Sequence, residues 1–129
     1  MASERFDHRT LVRLEAAEEI EMRTPRSDGT ASSRPIWVVV VDGVPYVRSY
    51  AGERGAWWRR ARTDGQAELG VEGQTLAVRV APDIGGGLDE RVSDAYRAKY
   101  GRHWPGPTEA MLTPPVVATT LRLEPVPHG

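Results

Sequence analysis

The sequence predicts an α+β protein whose antiparallel strands close into a small barrel. Six short extended segments are spread along the chain, whereas helical periodicity occurs only near its start, in its middle and late in its second half. Most of these segments are joined by tight turns, and a parallel, doubly wound sheet would need a helix after most strands. Closure into a barrel is expected because it removes the exposed edges that short strands would otherwise leave.

Composition limits the class of protein. The chain has 129 residues, a net charge of −1 and no cysteine. A chain of this length buries roughly two-thirds of its unfolded surface, so we expect one domain over residues 1–129, with an ordered core at about 6–124 and a flexible tail at 125–129. The absence of cysteine excludes disulfides and thiolate chemistry. The small net charge gives no reason to expect nucleic acid as a partner.

The termini and the hydropathy predict a soluble, cytoplasmic protein. The first ten residues are charged and lack the apolar core of a secretory signal. No stretch approaches the roughly 20 apolar residues that a membrane-spanning helix needs. We therefore expect no membrane partner.

The first elements are a helix, a strand and a loop. Asp7 is a suitable N-cap, and apolar residues recur at helical spacing until Ala17, where the helix is expected to end. The alternating segment Glu19–Thr24 predicts the first strand. The polar residues of Thr24–Pro35 predict a loop.

The rest of the domain is expected to be organised around the stretch that follows this loop. Ile36–Val41 is apolar without alternation, which predicts a central strand buried on both faces. Asp42-Gly43 is a strong signal for a type I′ hairpin turn, and Tyr46–Tyr50 is its second strand. The loop Gly52–Gly55 then leads into a short helix.

The second half predicts a hairpin and a longer helix. Alternating residues at 67–72 and 75–80 flank the turn Glu72-Gly73. Leu88–Tyr100 has an apolar face at helical spacing, and Gly101 is placed as its left-handed C-cap.

The chain is expected to end in a loop and a last strand. Residues 102–115 contain four prolines and predict a loop that serves either as a lid or as a dimer contact. Val116–Leu123 predicts the sixth strand.

Two glycine-containing loops lead from a strand into a helix, where free amide groups and the helix dipole can hold a phosphate. The loop Gly85-Gly86-Gly87 opens into Asp89 and Glu90, whose carboxylates would repel a phosphate, so we interpret it as a flexible turn. The loop Gly52–Gly55 instead contains Arg54 and is surrounded by other arginines, whose guanidinium groups suit phosphate oxygens. The competing interpretation is a solvated helix face whose arginines pair with Glu53 and Asp64.

Aromatic residues flank the second loop. Trp57 and Trp58 are adjacent and point about 100° apart on a helix, so at most one is expected fully in the core, and the other is expected to face a pocket, a partner or solvent. Trp37, at the start of the central strand, is more typical of a core residue.

The three histidines (His8, His103, His128) are scattered, and no catalytic triad or metal-ligand spacing is visible, so no catalytic residue and no metal site are assigned.

Three segments carry a resemblance to known proteins: IWVVVVDGVPYVRSYAGERGAWWRRA, AYRAKYG and ATTLRLEP. Together with the order of the elements, they resemble a small uncharacterised bacterial family of the pyridoxamine-phosphate-oxidase-like superfamily. Its fold is a six-stranded split β-barrel with an N-terminal helix, a short helix after the third strand and a helix before the last strand. The middle of the chain is also similar to the deazaflavin-dependent nitroreductases.

The resemblance implies a homodimer that holds flavin mononucleotide (FMN) or a deazaflavin coenzyme at the subunit interface. In the flavin-binding relatives, the loop matching Gly52–Gly55 holds the coenzyme phosphate, with a Ser and a Lys where this chain has Glu53-Arg54. Glu53 contributes the opposite charge. Carried over and combined with the residues above, the predicted cofactor-binding residues are Arg34, Trp37, Arg48, Ser49, Tyr50, Arg54, Gly55, Trp57 and Trp58.

Two functions are therefore predicted as alternatives. The first is a flavin- or deazaflavin-dependent oxidoreductase, similar to the nitroreductases, that moves a hydride to a small organic substrate. The second is a cofactor-free split barrel that binds a small molecule, either as a binder or as a shape-based isomerase or cyclase in a biosynthetic pathway. Fold alone does not separate them, because function depends on the site.

Overall fold

The computed structural model describes residues 5–82 and 87–126. Within them, the chain forms seven strands, five α-helices and one 3₁₀ turn. In chain order these are α1 (His8–Ala16), β1 (Ile20–Pro25), β2 (Ala31–Ile36), β3 (Val39–Val41), β4 (Val44–Val47), the 3₁₀ turn (Gly52–Arg54), α2 (Ala56–Asp64), β5 (Gln66–Val71), β6 (Gln74–Pro82), α3 (Leu88–Tyr100), α4 (Pro105–Ala110), α5 (Pro114–Val117) and β7 (Leu121–Pro125).

The strands form one antiparallel sheet in the order β2-β1-β5-β6-β7-β4-β3. The first and last strands of this order are consecutive in the chain, and only Trp37 and Val38 separate them. Three Cα–Cα steps span at most about 11 Å, so the two ends of the sheet must come together. This short link therefore curls the sheet, which gives the predicted α+β class and its split barrel.

The predicted number of six strands is wrong, because β2 was predicted as a loop. Only Ser32 and Ile36 of this strand are buried, and its other residues are exposed. β2 pairs with β1 alone, from Ile20↔Ile36 to Pro25↔Ala31. A polar strand at the edge of a sheet is held by backbone hydrogen bonds rather than by apolar side chains, so hydropathy gives no signal for it.

The predicted central strand at Ile36–Val41 divides into two. Ile36 ends β2, and Val39–Val41 forms β3 at the end of the strand order rather than at its centre. The expected burial on both faces is nevertheless found. Val38 packs into one apolar cluster with α1 and α2, whereas Val39 and Val41 pack into a second with α3.

Local signals placed the turns and the first helix correctly. The Asp7 carboxylate accepts a hydrogen bond of 2.8 Å from the Thr10 amide, which lowers the pKa of Asp7. Asp42 and Gly43 have φ values of 51° and 77°, as a type I′ turn requires. The hairpin strand β4 is shorter than predicted and ends at Val47, so the connection to α2 begins at Arg48.

The later elements differ from the prediction at their ends. Gly101 has φ −62° and ψ −31° rather than a left-handed conformation, because the chain continues turning after α3. The proline-rich segment forms α4 and α5, since Pro105 and Pro114 occupy first-turn helix positions that favour proline. β7 therefore begins only at Leu121, although the last predicted strand began at Val116.

The predicted glycine turn and the predicted C-terminal tail lie partly outside the described residues. Gly85 and Gly86 of the predicted flexible turn lie outside the described residues, and Gly87 is the N-cap of α3. Of the predicted tail, Pro125 belongs to β7 and residues 127–129 are outside the description. None of the described helices combines the length and the apolar character needed to cross a bilayer.

Two side chains of α3 form hydrogen bonds with the link between β2 and β3, which consists of Trp37 and Val38. The Tyr100 hydroxyl accepts a hydrogen bond from the Val38 amide (3.2 Å) and lies 2.9 Å from the Glu18 carbonyl oxygen, and burial raises the pKa of Tyr100 to about 12. Lys99, the one lysine of the sequence, donates to the carbonyl oxygens of Leu14 and Val38. Burial lowers the pKa of Lys99 to about 8. These bonds fix the link that closes the sheet.

Replacing Tyr100 by Phe is expected to lower the free energy of unfolding by about 1–3 kcal/mol, because the buried Val38 amide loses its hydroxyl acceptor. Urea denaturation measures the change. Tyr50→Phe is the control: Tyr50 is 66% exposed, and its substitution should change stability by less than about 0.5 kcal/mol. Equal effects for the two variants would contradict this role of Tyr100.

Candidate functional site

A cleft of about 540 Å³ lies beside the N-terminus of α2. Its walls come from the end of β2 and the link after it, from the connection between β4 and α2, and from α4. This main cleft is lined by eight of the nine predicted cofactor-binding residues: Arg34, Trp37, Arg48, Ser49, Tyr50, Arg54, Gly55 and Trp57. The structure thus brings the predicted set together, whereas its binding of a cofactor stays a prediction.

Trp58 is the predicted residue that does not line the main cleft. It is 5% exposed, and its indole N–H donates to the Thr119 carbonyl oxygen at 2.8 Å. Trp57 is also buried, at 8% exposure, yet it reaches the cleft wall. Both rings therefore belong to the same buried core cluster, so the expectation that at most one of them lies in the core is wrong, although only Trp57 also lines the main cleft.

Arg48 has a structural role that the sequence did not reveal. Its side chain is 1% exposed and donates to the Thr120 hydroxyl (2.9 Å), the Ser93 hydroxyl (3.0 Å) and the carbonyl oxygens of Met111 and Asp89 (both 3.1 Å). Its guanidinium also lies 5.3 Å from the centre of the Tyr96 ring. These contacts occupy the guanidinium, so Arg48 shapes the cleft wall instead of offering a free charge to a ligand.

Ser49 and Gly55 approach each other closely at the cleft. Ser49 is fully buried, and its hydroxyl has no hydrogen-bond partner among the described residues. A Cβ on Gly55 would lie 2.3 Å from that hydroxyl, so the absence of a side chain permits the contact. Gly55 is also the N-cap of α2, and no side chain of the described residues caps this helix. The amide groups of its first turn and the Ser49 hydroxyl therefore provide donors at one place.

Two arginines at the cleft are available to an anion. Arg34 and Arg54 are exposed, and neither forms a hydrogen bond or an ion pair with any described residue. The competing interpretation required pairing with Glu53 or Asp64, but no described arginine lies within ion-pair distance of either carboxylate. Together with the positive end of α2, these side chains make this end of the cleft suitable for a phosphate.

Aromatic rings form the other part of the cleft. Trp37 stacks on Tyr100 with 4.0 Å between ring centroids and 2° between planes, and Trp104 lies 6.0 Å away. Trp37 is half-buried and reaches the cleft, as does Trp57. Tyr50 is 66% exposed at the mouth. The cleft therefore combines a cationic end with flat apolar walls. Small-molecule sites commonly have such apolar walls with a few placed polar groups, and this combination suits a ligand that carries both an aromatic ring and a phosphate.

Sequence reasoning missed several lining residues, among them Glu19, Ile36, Pro107 and Met111. Glu19 directly precedes β1 and Ile36 is the last residue of β2, paired with Ile20, so only the register of these two strands could have placed them there. Pro107 and Met111 belong to the segment predicted as a loop. α4 forms part of the cleft wall, and the bond from Arg48 to the Met111 carbonyl holds it there.

The described residues contain no group of three or more His, Asp or Glu side chains that could hold a metal ion. His103 lies outside the main cleft, with its ring 5.6 Å from that of Trp104.

The fold and this cleft define a class: the chain has a split β-barrel fold similar to that of solved proteins such as a putative pyridoxamine 5'-phosphate oxidase, as the resemblance implied. It is similar to HutZ, a heme storage protein from Vibrio cholerae, at 12% identity over 96% of this chain and 92% of that chain, with a TM-score of 0.67. A putative pyridoxamine 5'-phosphate oxidase from Listeria innocua matches at 12% identity over 94% and 92% (TM-score 0.60). A NimC/NimA family protein from Clostridium acetobutylicum matches at 17% identity over 89% and 75% (TM-score 0.61).

Residues 10–123 match the family described as "Uncharacterized protein conserved in bacteria (DUF2255)", and the chain belongs to this family. Comparison with the curated proteins finds no relative of this sequence. The solved structures therefore establish the fold, and the site must be interpreted from its own residues.

Replacing Gly55 by Ala is expected to lower the free energy of unfolding by about 1–3 kcal/mol, because the new methyl group would overlap the buried Ser49 hydroxyl. Urea denaturation of Gly55→Ala, Ser49→Ala and the double variant measures the coupling. Ser49→Ala should restore most of the loss, since it removes the overlapping atom. A loss of the same size in both backgrounds would show that the hydroxyl is not the cause.

Proposed function

We propose that the main cleft binds a flavin or deazaflavin coenzyme between two copies of the chain, and that the protein moves a hydride between this coenzyme and a small organic substrate. The observation that carries the proposal is the convergence of unpaired anion-binding groups and aromatic walls on one cleft. Its volume of about 540 Å³ falls in the range of about 300–1,000 Å³ that is usual for small-molecule sites.

The cationic end of the cleft fits the coenzyme phosphate. Ser49 would donate its unpartnered hydroxyl hydrogen to a phosphate oxygen, and Arg54 and Arg34 would donate guanidinium hydrogens. The first-turn amides of α2 would complete the set, because no side chain of the described residues caps this end of the helix. Arg48 is left out of this set because its donors serve the fold.

The aromatic end fits a planar ring. Trp37, held flat on Tyr100, and the buried Trp57 would orient the ring and exclude water from one side of it. The flavin or deazaflavin ring supplies the hydride chemistry when bound, so the chain need not provide an acid–base residue of its own. The protein would then contribute orientation and phosphate anchoring.

A second copy of the chain would cover the open side. The mouth of the cleft exposes Tyr50 beside Arg54, and exposed aromatic residues are enriched where proteins associate. The homodimer implied by the resemblance would place such a residue against the partner and enclose the ring.

Other split barrels suggest the ligands to compare. The similar structures include proteins described as a putative pyridoxamine 5'-phosphate oxidase and as a heme storage protein. Purified protein should therefore be titrated with FMN, a deazaflavin coenzyme and haem, following absorbance and the quenching of ligand fluorescence. Saturable binding of FMN or deazaflavin at micromolar levels supports the proposal. Binding of haem alone would reject both the proposal and the cofactor-free alternative. Binding of none of the three would reject the proposal and favour the cofactor-free alternative.

Replacing Arg54 by Ala is expected to weaken coenzyme binding by about 1.5–3 kcal/mol, because it removes a charged hydrogen bond to the phosphate. Isothermal titration with the tightest ligand measures the change. Arg9→Ala is the matched control, since Arg9 is an exposed arginine of α1 outside the main cleft. Unchanged affinity for Arg54→Ala would remove this residue from the site.

A further inference from the structure

The main cleft has one carboxylate among its described lining residues, that of Glu19. Glu19 directly precedes β1, and Trp37 directly follows β2. Because Ile20 pairs with Ile36, Glu19 and Trp37 are neighbours across the two strands, at the point where the link to β3 begins. The cleft therefore presents a negative charge beside one of its aromatic rings.

Glu19 differs from other exposed acidic residues in its position rather than in its lack of a partner. It forms no ion pair with a described residue, but neither do the exposed residues Glu18 and Glu109. Those two are not among the described residues that line the main cleft, whereas Glu19 lies on its wall next to Trp37. A carboxylate in this position acts on the charge of whatever enters the cleft.

The buried side chain of Tyr100 supports both groups. Its hydroxyl donates a hydrogen bond of 2.9 Å to the Glu18 carbonyl oxygen, and its ring covers one face of Trp37. Burial is the main cause of the raised pKa of Tyr100, and the negative charges of Glu18 and Glu19 add to it, as expected of carboxylates near the hydroxyl. The half-buried Trp37 ring lines the cleft with the surface that Tyr100 leaves uncovered. The aromatic surface and the carboxylate are therefore in place before a ligand binds.

The positive groups of this region lie elsewhere or are already engaged. Arg34 and Trp37 are three residues apart on extended chain, so about 10 Å along the chain separates the arginine assigned to the phosphate from the acidic part of the wall. Lys99 donates to two backbone carbonyl oxygens and forms no ion pair with Glu19. The main cleft thus has a cationic part and a separate acidic part.

We infer that the substrate of the main cleft is a small organic cation, whose ammonium group is held by the Glu19 carboxylate against the Trp37 ring. This inference rests on the proposed function and deepens it, because it names the class of the small organic substrate. An aromatic ring attracts a cation through its quadrupole, and the carboxylate adds a charged hydrogen bond. The same carboxylate repels anions, so Glu19 contributes to specificity by repulsion as well as by attraction.

The coenzyme and the cation use different walls of the cleft. The coenzyme phosphate is assigned to the connection between β4 and α2, whereas Glu19 belongs to the wall that β1, β2 and the link form. The cation therefore lies on the side of the coenzyme ring rather than at the phosphate. A hydride acceptor must lie near the ring, because the transfer needs the two reacting atoms in contact.

A first experiment tests the cation site without a coenzyme. Phenethylamine and 2-phenylethanol share a ring and differ in charge, and each is titrated into the ¹⁵N-labelled protein at low ionic strength, where exposed charges are least screened. The Trp37 indole signal, assigned with Trp37→Phe, should shift saturably with phenethylamine. The amine should bind at least about fivefold tighter than the alcohol. Equal affinity for the two compounds would overturn the inference.

Glu19→Gln keeps the size of the side chain and removes its charge, so the preference for the amine should fall below about twofold. Glu18→Gln is the matched control: it removes the same charge from the neighbouring residue and should keep a preference of at least about fourfold. Both side chains are exposed, so neither change is expected to disturb the fold. Loss of the preference in both variants alike, or in neither, would contradict the role of Glu19.

A second experiment tests whether the cation can be a substrate. The titration with phenethylamine is repeated on protein saturated with FMN or with a deazaflavin coenzyme, whichever binds more tightly. Its affinity should change less than about threefold, because coenzyme and substrate must occupy the cleft together. Competitive displacement would overturn the assignment of the cation as substrate.

The outcomes separate the two proposals. Binding of a coenzyme without any preference for the amine would overturn the inference and leave the proposed function intact. Failure of both coenzymes to bind would reject the proposed function, whereas the first experiment would still decide whether Glu19 and Trp37 form a cation site.

Discussion

The buried guanidinium of Arg48 is the interaction on which this architecture depends. It joins the connection after β4 to α3, to the end of α4 and to the segment before β7, four places that are far apart in sequence. A buried arginine costs free energy unless its donors are satisfied, and here hydroxyl and carbonyl oxygens satisfy them. The same bonds hold α4 against the main cleft. One residue thus sets both the packing of the second apolar cluster and the shape of the site.

The groups that line the main cleft come from few segments of the chain. Most of its polar groups come from a single connection of the chain, residues 48–57, which leaves the sheet and enters α2. Because the groups of such a segment are close in sequence, its backbone amides, a serine hydroxyl and an arginine can lie side by side without contacts between distant parts of the chain. The edge strand β2 adds Arg34 and the short link adds Trp37, because closure of the sheet brings them beside α2.

This origin explains how much could be predicted from the sequence. Eight of the nine predicted residues line the main cleft, and six of these eight belong to the contiguous segment 48–57, where a turn, a glycine loop and a helix start are local signals. The role of Arg48 could not be predicted, since its partners lie 41 to 72 residues away along the chain. The polar edge strand β2 gave no hydropathic signal, and the proline-rich segment concealed two helices whose first turns accept proline. The fold class followed from patterns, whereas strand order required tertiary contacts.

The link between β2 and β3 has a consequence for how the molecule comes apart. Successive valines of this stretch serve opposite clusters, with Val38 in one and Val39 in the other. Because loss of either cluster would displace a strand that the other cluster also uses, we expect the two clusters of the described residues to unfold together. Denaturation is then expected to be a single cooperative transition, and the cleft should be lost in the same step, because Trp57 of one cluster and Met111 of the other both line it.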